Sequence, residues 1–358
     1  MEKDTTIIPK TTEDFEYYEE EEMDSVSSAL HYTAIVCYCL AFLLGTCGNG
    51  LVIFITGCKM KKTLNTVWFL NLSVADFLFT AFLPIQITYS LRNYNWPFNA
   101  NMCRLNSFIL VLNMFASIFL LTVISLDRCL SVMAPVWAHN KRSPRKAEAL
   151  CLVVWILACL CSVPFIVYRD IHLHTNKTSC AYVFPKGSEM QTYQALILTR
   201  FFLGFLFPFL VIVASYGSIG LRYRSVHKKR SFKPFRVILA VILTFFICWM
   251  PFHVFQLLTI RMHNSTNTFK KAVENGLTTS TNLAFFNSCL NPVLYVCMCQ
   301  DFREKFRKSF LLVFESAFIE EHPFLSSTRR STVQMDSLAQ GLQPNGTPST
   351  AAYPNDDN

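Results

Sequence analysis

The stretch that decides the fold is residues 102–133, which read MCRLNSFILVLNMFASIFLLTVISLDRCLSVM. Between Arg104 and Asp127 this stretch contains no Asp, Glu, Lys or Arg. A helix needs roughly 20 predominantly apolar residues to cross a bilayer. The stretch therefore predicts a membrane-spanning helix.

Six more apolar stretches of similar length lie on either side of it, separated by short polar connections. With the first stretch they predict seven spanning segments: Leu30–Gly57, Thr66–Leu91, Met102–Met133, Ala147–Tyr168, Tyr193–Leu221, Pro234–Ile260 and Val273–Cys299. Barrel strands would be about 10 residues long and would alternate apolar with polar residues. The chain shows no such alternation, so we predict an all-α membrane protein with a seven-helix bundle.

The composition agrees with this assignment. The chain has 358 residues, 52% of them hydrophobic and only 16% charged, which excludes an ordinary soluble enzyme. The formal charge of +8 is unevenly distributed, because residues 1–24 contain ten acids and two lysines. We expect a disordered acidic tail over 1–29, the bundle over 30–300, an amphipathic membrane-surface helix over 301–314, and a disordered Ser/Thr-rich tail over 315–358.

The orientation follows from Lys and Arg, which accumulate on the cytoplasmic side. The connections after the first, third, fifth and seventh segments hold eighteen, and the opposite connections hold seven. We therefore predict a multi-pass plasma-membrane protein with an extracellular amino terminus. Asn176 and Asn264 lie in Asn-x-Ser/Thr motifs of the predicted outer connections and are candidate glycosylation sites.

Most of the fourteen cysteines lie within apolar segments, but two do not. Cys103 begins the third segment at its outer end, and Cys180 lies in the outer connection after the fourth. A disulfide persists in that oxidising compartment. We predict a Cys103–Cys180 bridge that pins this connection over the bundle; two free thiols are the alternative.

Few ionisable residues are predicted to be buried within the segments: Asp76, Asp127, Arg128, Arg200 and His253. Such residues are costly in hydrocarbon and usually functional. They form no motif for a structural metal, and neither a proton relay nor inverted repeats of broken helices are present. Enzyme and transporter functions are therefore disfavoured.

Between Leu30 and about Phe314 the chain contains a series of short motifs. They are Gly48-Asn49, Leu72–Asp76, Cys103, Asp127-Arg128-Cys129, Trp155, Pro208, Tyr216, Cys248–Pro251 and Asn291–Tyr295. Together these motifs resemble the rhodopsin-like (class A) G-protein-coupled receptors. Cys129 departs from the Tyr that is common there. The resemblance implies a membrane receptor that activates a G protein.

The resemblance also assigns roles in activation. It implies that Arg128 pairs with Asp127 at rest and is released to meet the G protein, with Tyr216 and Tyr295 moving beside it. A snorkelling Arg128 at the membrane interface is the alternative. It places Pro208, Ile118, Phe245 and Trp249 in the packing that connects the ligand pocket to the cytoplasmic face.

The resemblance further implies an allosteric sodium ion at Asp76; we expect no other cofactor. Its oxygen ligands would come from Asp76, Asn113, Ser117, Asn287, Ser288 and Asn291, and hard oxygen ligands suit a hard cation. The alternative is a water-filled hydrogen-bond network around a protonated Asp76.

The ligand class follows from the pocket positions. Leu110 stands where amine receptors have Asp, and Phe285 stands where opsins have the Schiff-base Lys, so both classes are excluded. Arg200 is the one charge predicted to be buried in the outer half of the segments, and Arg169 lies above it; guanidinium groups bind carboxylates. With Asn113 and Trp249 they form the predicted ligand site.

Blocks such as 61–72, 113–117, 168–170 and 287–292 are similar to the chemoattractant branch, which includes the chemerin, formyl-peptide and complement anaphylatoxin receptors, and most similar to chemerin receptors. We therefore expect a chemerin-like protein or peptide ligand, an inhibitory-type G protein, arrestin and receptor kinases as partners, membrane lipids at 301–314, and no nucleic acid. Thr259 replaces an acidic residue of these relatives. An arrestin-only scavenging receptor, a formyl-peptide or complement-peptide receptor and a receptor for a carboxylate lipid mediator remain alternatives.

Overall fold

The computed structural model describes residues 12–174, 177–225, 233–298 and 302–307. Nine longer helices and one hairpin make up most of them. Their bounds are α1 Thr12–Phe54, α2 Leu64–Leu91, α3 Ala100–Met133, α4 Pro135–Lys141, α5 Pro144–Val167, β1 Arg169–His174, β2 Lys177–Tyr182, α6 Glu189–Phe201, α7 Phe207–Ser225, α8 Lys233–Leu258 and α9 Asn267–Met298. A short helix follows over 302–307.

The seven predicted segments correspond to α1, α2, α3, α5, α6 with α7, α8 and α9, so the seven-helix fold is confirmed. Helices α6 and α7 are joined by a π-helical turn, Phe202–Leu206, into one span. Helix α3 is the central element: its apolar stretch is 72% buried, the highest share among the six apolar spans of the described residues. The orientation of the bundle in the membrane stays a prediction.

Among the described residues, six helices are long and apolar enough to cross a membrane by length and composition. Helix α9 is not among them. It has 32 residues, but many are Asn, Ser or Thr, and Asn282, Asn287, Ser288 and Asn291 are buried inside the bundle. These polar residues lower the hydropathy of the seventh span, and they can lie within a spanning helix because they face other helices.

The first helix begins at Thr12, not at Leu30. The expectation of a disordered tail over 1–29 is therefore wrong for residues 12–29; residues 1–11 lie outside the described residues. Glu is a strong helix former, and acids near a helix amino terminus complement the helix dipole. These two effects favour a continuation of the spanning helix through the acidic stretch.

Side chains cap the starts of α2, α3 and α5. Thr63 and Thr66 form a capping box at the start of α2. Asn99 Oδ1 accepts a hydrogen bond from the Met102 amide at 2.9 Å at the start of α3. Ser143 caps α5 and is followed by Pro144, a residue that suits the first helical turn.

The connection between α5 and α6 contains a β-hairpin, which we did not predict. Its strands pair in an antiparallel register with Arg169 opposite Tyr182 and Ile171 opposite Cys180. The predicted Cys103–Cys180 disulfide is present and joins β2 to α3. We refer to this end of the bundle as the hairpin end.

Polar contacts add to the disulfide in holding the hairpin. Arg104 of α3 donates to Asp170 Oδ2 at 2.6 Å and to the Arg169 carbonyl at 3.0 Å. On the other strand, the Trp96 amide donates to the Thr178 carbonyl at 2.6 Å. The hairpin is thus attached through both of its strands.

The segment after α9 is described only in part. Helix 302–307 falls inside the predicted amphipathic helix over 301–314, and residues 308–314 lie outside the described residues. Phe302 is buried, with its ring centroid 6.2 Å from that of Tyr295. The Ser/Thr-rich tail over 315–358 also lies outside the described residues.

Candidate functional site

A cavity of about 320 Å³ lies at the hairpin end of the bundle. Its lining is mostly apolar and includes Leu110, Trp249 and Phe285. Arg169 and Arg200 are the charged residues of the lining, which contains no Asp or Glu. Mostly apolar walls with a few polar groups are typical of ligand sites.

Arg200 lies on α6 and points its guanidinium into this cavity. Nη1 donates to Gln256 Oε1 at 3.2 Å, and Nη2 donates to the Tyr182 hydroxyl at 3.4 Å. The guanidinium carbon lies 4.4 Å from the ring centroid of Phe165. Nε is buried without a hydrogen-bond partner in the described structure. Neutral groups alone therefore support this cation.

Arg169, the first residue of β1, lies on the same side of the cavity. Its guanidinium carbon is 3.9 Å from the ring centroid of Tyr182, and its Nη1 donates to the Cys180 carbonyl at 2.9 Å. Three ion pairs form among the described residues, and they involve neither Arg169 nor Arg200. The cavity thus holds two guanidinium groups with no carboxylate partner there.

The two guanidinium charges change the pKa of the Tyr182 phenol. Burial by itself would raise the pKa of this phenol, but the positive charges of Arg200 and Arg169 and their hydrogen bonds outweigh burial and lower it. A lowered phenol pKa means that the local environment favours negative charge. The cavity is therefore electropositive, as the sequence predicted.

Thr259 lies at the outer edge of the same site. Its hydroxyl is 2.8 Å from the Tyr193 hydroxyl and donates to the Gln256 carbonyl at 2.7 Å. Tyr193 and Gln256 both line the cavity. A neutral hydroxyl pair thus joins α6 to the end of α8.

Trp249, Arg169 and Arg200 line the cavity, but Asn113 does not. The Asn113 amide instead donates to the Ser288 hydroxyl at 3.1 Å, and its Oδ1 accepts from the Ser117 hydroxyl at 3.4 Å. The contact of Asn113 with the ligand stays a prediction. Its place in the polar network is in keeping with the resemblance.

That polar network is buried between α1, α2, α3 and α9. Asn291 Nδ2 donates to Asp76 Oδ2 at 2.7 Å, and Asn49 Nδ2 donates to the Ser288 carbonyl at 2.8 Å. Buried oxygens of this network without a hydrogen-bond partner among the described residues include Asn49 Oδ1, Asp76 Oδ1, Asn287 Oδ1 and Asn291 Oδ1. Since buried polar oxygens are rarely left without a partner, the network can accommodate a small cation or water.

No cluster of three or more His, Cys, Asp or Glu side chains that could hold a metal occurs in the part of the chain that the structure describes. The polar network is a different kind of site. It has a single carboxylate, and its other ligands would be amide and hydroxyl oxygens. Such a donor set fits a weakly bound hard cation better than a structural transition metal.

A packed column of side chains runs from the cavity toward the other end of the bundle. The Trp249 and Phe245 rings stack with centroids 5.8 Å apart. Ile118 on α3 is fully buried, and Pro208 is buried just after the π-helical turn. The residues predicted to connect pocket and cytoplasmic face are thus all in the protein interior.

At the far end of α3, the predicted pairing of Arg128 with Asp127 is wrong. Asp127 binds Arg142, the residue after α4, through two hydrogen bonds of 2.7 and 2.5 Å. Arg128 instead donates a hydrogen bond to Asn65. Consecutive residues of a helix do not face each other, so Asp127 and Arg128 find partners on different elements.

Tyr216 and Tyr295 lie near this region. Both hydroxyls are buried and have no hydrogen-bond partner among the described residues. Tyr295 is fully buried, and its ring lies 4.5 Å from that of Phe69, centroid to centroid. Each of the two hydroxyls can therefore form a further hydrogen bond.

The sequence analysis missed four residues of these sites: Tyr182, Gln256, Arg142 and Asn65. Tyr182 is close to Cys180 in the sequence, but its place opposite Arg169 depends on a hairpin that the sequence did not indicate. Arg142 was counted only as a positive charge, since pairing across 15 residues depends on where α4 ends.

Glycosylation at Asn176 and Asn264 stays a prediction, because Asn176 and the Asn264 side chain lie outside the described residues.

Comparison with known proteins gives a consistent result. The family model described as "7 transmembrane receptor (rhodopsin family)" matches residues 48–295. The chain is 44% identical to a C3a anaphylatoxin chemotactic receptor of Danio rerio, over 85% of this chain and 82% of the relative. It is 45% identical to a human chemerin-like receptor 1, over 75% and 76% of the two chains. It is 39% identical to a human chemerin-like receptor 2, over 83% and 85%.

Proposed function

We propose that this chain, which belongs to the rhodopsin family of seven-transmembrane receptors, binds the C-terminal carboxylate of a chemerin-like extracellular protein and activates an inhibitory-type G protein. It is a multi-pass membrane receptor and not an enzyme. The ligand, the class of G protein and arrestin recruitment are our proposals.

One observation carries the choice of ligand: Arg169 and Arg200 line the same cavity and have no carboxylate partner among the described residues. Both side chains are partly buried, and a cation removed from water without a counter-charge is destabilising. A carboxylate from the ligand would remove that cost and form charge-assisted hydrogen bonds. Several relatives of this chain are named chemerin-like receptors, so a chemerin peptide is the first ligand to test.

The test compares a chemerin C-terminal peptide with a free carboxylate and the same peptide with a C-terminal amide. A hydrogen bond to a charged group contributes about 1.5–3 kcal/mol, so Arg200→Gln should weaken the acid form about ten- to hundred-fold. The amide form should change far less. Arg92→Gln, at the end of α2 and away from the cavity lining, is the matched control. Equal loss for acid and amide would contradict carboxylate capture.

Coupling to a G protein is supported by the environment of Arg128. This guanidinium is not held by Asp127, and its Nε has no hydrogen-bond partner among the described residues. Inhibition of cAMP formation should follow peptide addition and disappear in Arg128→Ala, with peptide binding retained. Internalisation and arrestin recruitment without any cAMP response in the wild type would instead favour the scavenging receptor.

A lipid mediator with a carboxylate would satisfy the same guanidiniums, and so would formyl or complement peptides. The cavity of about 320 Å³ has neutral hydroxyls at Thr259 and Tyr193 on its rim and includes no acid to recognise a ligand amine. Competition of a labelled chemerin peptide by formyl peptide, complement peptide and fatty acid distinguishes these ligands. Displacement by the fatty acid alone would overturn a peptide ligand.

We also propose an allosteric sodium ion in the Asp76 network. The support is the set of unpartnered buried oxygens on Asp76, Asn287 and Asn291. When bound, the ion would compensate the carboxylate charge, and Asn113, Ser117 and Ser288 would complete the polar surroundings. Replacing choline by sodium at constant ionic strength should lower agonist affinity in the wild type and not in Asp76→Asn. The same sodium effect in both proteins would contradict the site.

The acidic stretch before residue 25 supplies a further proposal, attraction of a basic protein ligand. It carries a net charge of −8, and its helix from Thr12 is continuous with α1. Sulfation of Tyr17 or Tyr18 would add negative charge. Deleting residues 2–24 should slow association of the whole protein ligand at low salt, with little effect at high salt. Unchanged association at low salt would leave the stretch as a solvated extension only.

A further inference from the structure

Tyr182 is the residue that both cavity arginines share. It ends β2 and lies directly opposite Arg169 in the hairpin register. Directly opposed residues in an antiparallel pair have neighbouring side chains. Accordingly, the Arg169 guanidinium carbon lies 3.9 Å from the centroid of the Tyr182 ring. The ring face thus supports one guanidinium by a cation–π contact.

The hydroxyl of the same side chain supports the other guanidinium. Arg200 Nη2 donates to the Tyr182 hydroxyl at 3.4 Å. The Tyr182 ring also stacks on Phe184, with centroids 5.6 Å apart and planes inclined by 11°. Since β2 is attached to α3 through the disulfide at Cys180, the ring is held on a rigid element.

Two like charges in one mostly apolar cavity repel each other. The electron-rich ring face and the phenol oxygen are the groups that offset this repulsion at both guanidiniums at once. The lowered pKa of Tyr182 is the reciprocal effect of the two cations on the phenol. Without Tyr182, nothing else in the described lining contacts both arginines.

We propose that Tyr182 is a positioning residue for carboxylate binding. Its ring face orients Arg169 and its hydroxyl orients Arg200, so that both guanidiniums contact the C-terminal end of the ligand. This inference rests on the proposed function, in which Arg200 binds the ligand carboxylate. Arg200 binds the carboxylate, and Arg169 donates a hydrogen bond to an adjacent backbone carbonyl of the peptide. The selectivity of the receptor for a carboxylate over an amide is therefore set in part by a residue that is itself uncharged.

The experiment measures the ratio of the dissociation constants for the amide and acid forms of the chemerin C-terminal peptide. Tyr182→Phe removes the hydroxyl and keeps the ring, so the acid form should bind about ten-fold more weakly and the ratio should fall by the same factor. A merely structural defect would weaken both peptides equally and leave the ratio unchanged.

The matched control is Tyr193→Phe. Tyr193 also lines the cavity, but its hydroxyl lies 2.8 Å from that of Thr259 and forms no hydrogen bond with either arginine in the part of the chain that the structure describes. Any effect of this variant on binding should be the same for both peptides. A fall in its ratio equal to that of Tyr182→Phe would overturn the assignment to Tyr182.

Two further variants distinguish the loss of the Tyr182 contacts from a general folding defect. Tyr182→Leu removes ring and hydroxyl, releases both guanidiniums, and should lower the ratio further than Tyr182→Phe. In the double variant Tyr182→Phe with Arg200→Gln, the hydroxyl should no longer matter, so the two losses should not add. Additive losses would overturn the positioning role.

The two proposals fail in different ways. If the wild type binds acid and amide peptides equally, the proposed function is wrong. If the wild type prefers the acid and Tyr182→Phe keeps that preference in full, only the role of Tyr182 is wrong. Surface staining of each variant confirms that receptor numbers are equal before the ratios are compared.

Discussion

Replacing Arg142 by Gln should destabilise the receptor more than removal of any exposed ion pair. Arg142 makes a two-point contact with Asp127, and their side chains are only 19% and 13% exposed. Loss of one partner leaves the other charge without compensation in a place with little water. From the strength of charge-assisted hydrogen bonds we expect a loss of about 2 kcal/mol in the free energy of unfolding.

Lys62→Gln is the matched control, because it removes an ion pair with Glu148 in which the side chains are 60% and 42% exposed. Exposed pairs contribute about 0–1 kcal/mol. Thermal unfolding can be followed with a thiol-reactive fluorophore, since Cys151, Cys248 and Cys289 are buried and become accessible on unfolding. Arg142→Gln should lower Tm by roughly 4 °C or more, and Lys62→Gln by about 2 °C at most.

The double variant Asp127→Asn with Arg142→Gln completes the test. Because it removes both charges together, its Tm should lie above the value expected from adding the two single losses. Simple additivity, or equal shifts for Arg142→Gln and Lys62→Gln, would refute the reasoning. Such a result would mean that Asp127 has another partner in solution.

Three other predictions concern the hairpin and the bundle. Cys103→Ser removes the disulfide, should cost about 2–4 kcal/mol of stability, and should reduce peptide binding measured at equal surface expression. Trp155→Phe loses the 3.0 Å hydrogen bond from the indole to Asn71 and should lower stability by about 1 kcal/mol in the same unfolding assay. The pKa of Asp170 is lowered by the hydrogen bond from the Ile171 amide and then by Arg104. Its stabilising contribution is therefore present above the ordinary Asp pKa of about 4 and is lost as pH falls through the lower folded-state value. Hydrogen exchange in the hairpin should increase over that acid range in the wild type and stay nearly constant in Asp170→Asn; equal curves would contradict this.

The extent of the spanning helices was predictable because a bilayer imposes a minimum length of apolar sequence. Even α9, whose polar residues lower its hydropathy, was assigned correctly in type from the apolar residues between them. The start of α1 was not predictable from hydropathy, since Thr12–Ala29 is helical without being apolar. The hairpin was missed because a two-stranded sheet of six-residue strands gives only a weak pattern.

The candidate sites divide in the same way. Arg200 and Asp76 could be selected from the sequence because an ionisable residue in an apolar segment is conspicuous. Tyr182 and Gln256 could not, because a Tyr or Gln near a segment end has many neutral roles. Their importance depends on Arg200 reaching both of them at 3.2–3.4 Å.

The sequence by itself thus determined the class of protein, the number of spans, the disulfide and the positive charge of the cavity. The number of spans follows from local composition, because solvent, whether lipid or water, acts on every residue independently of its distant neighbours. The class of protein was implied by the resemblance of its motifs, and the disulfide and the cavity charge by the predicted positions of Cys103, Cys180, Arg169 and Arg200. The partners of individual charges were decided only by the tertiary structure. Asp127 binds Arg142, Arg128 binds Asn65, and Tyr182 joins Arg169 to Arg200. A hydrogen bond forms only within about 3.5 Å, and packing of helices from distant parts of the chain sets such distances.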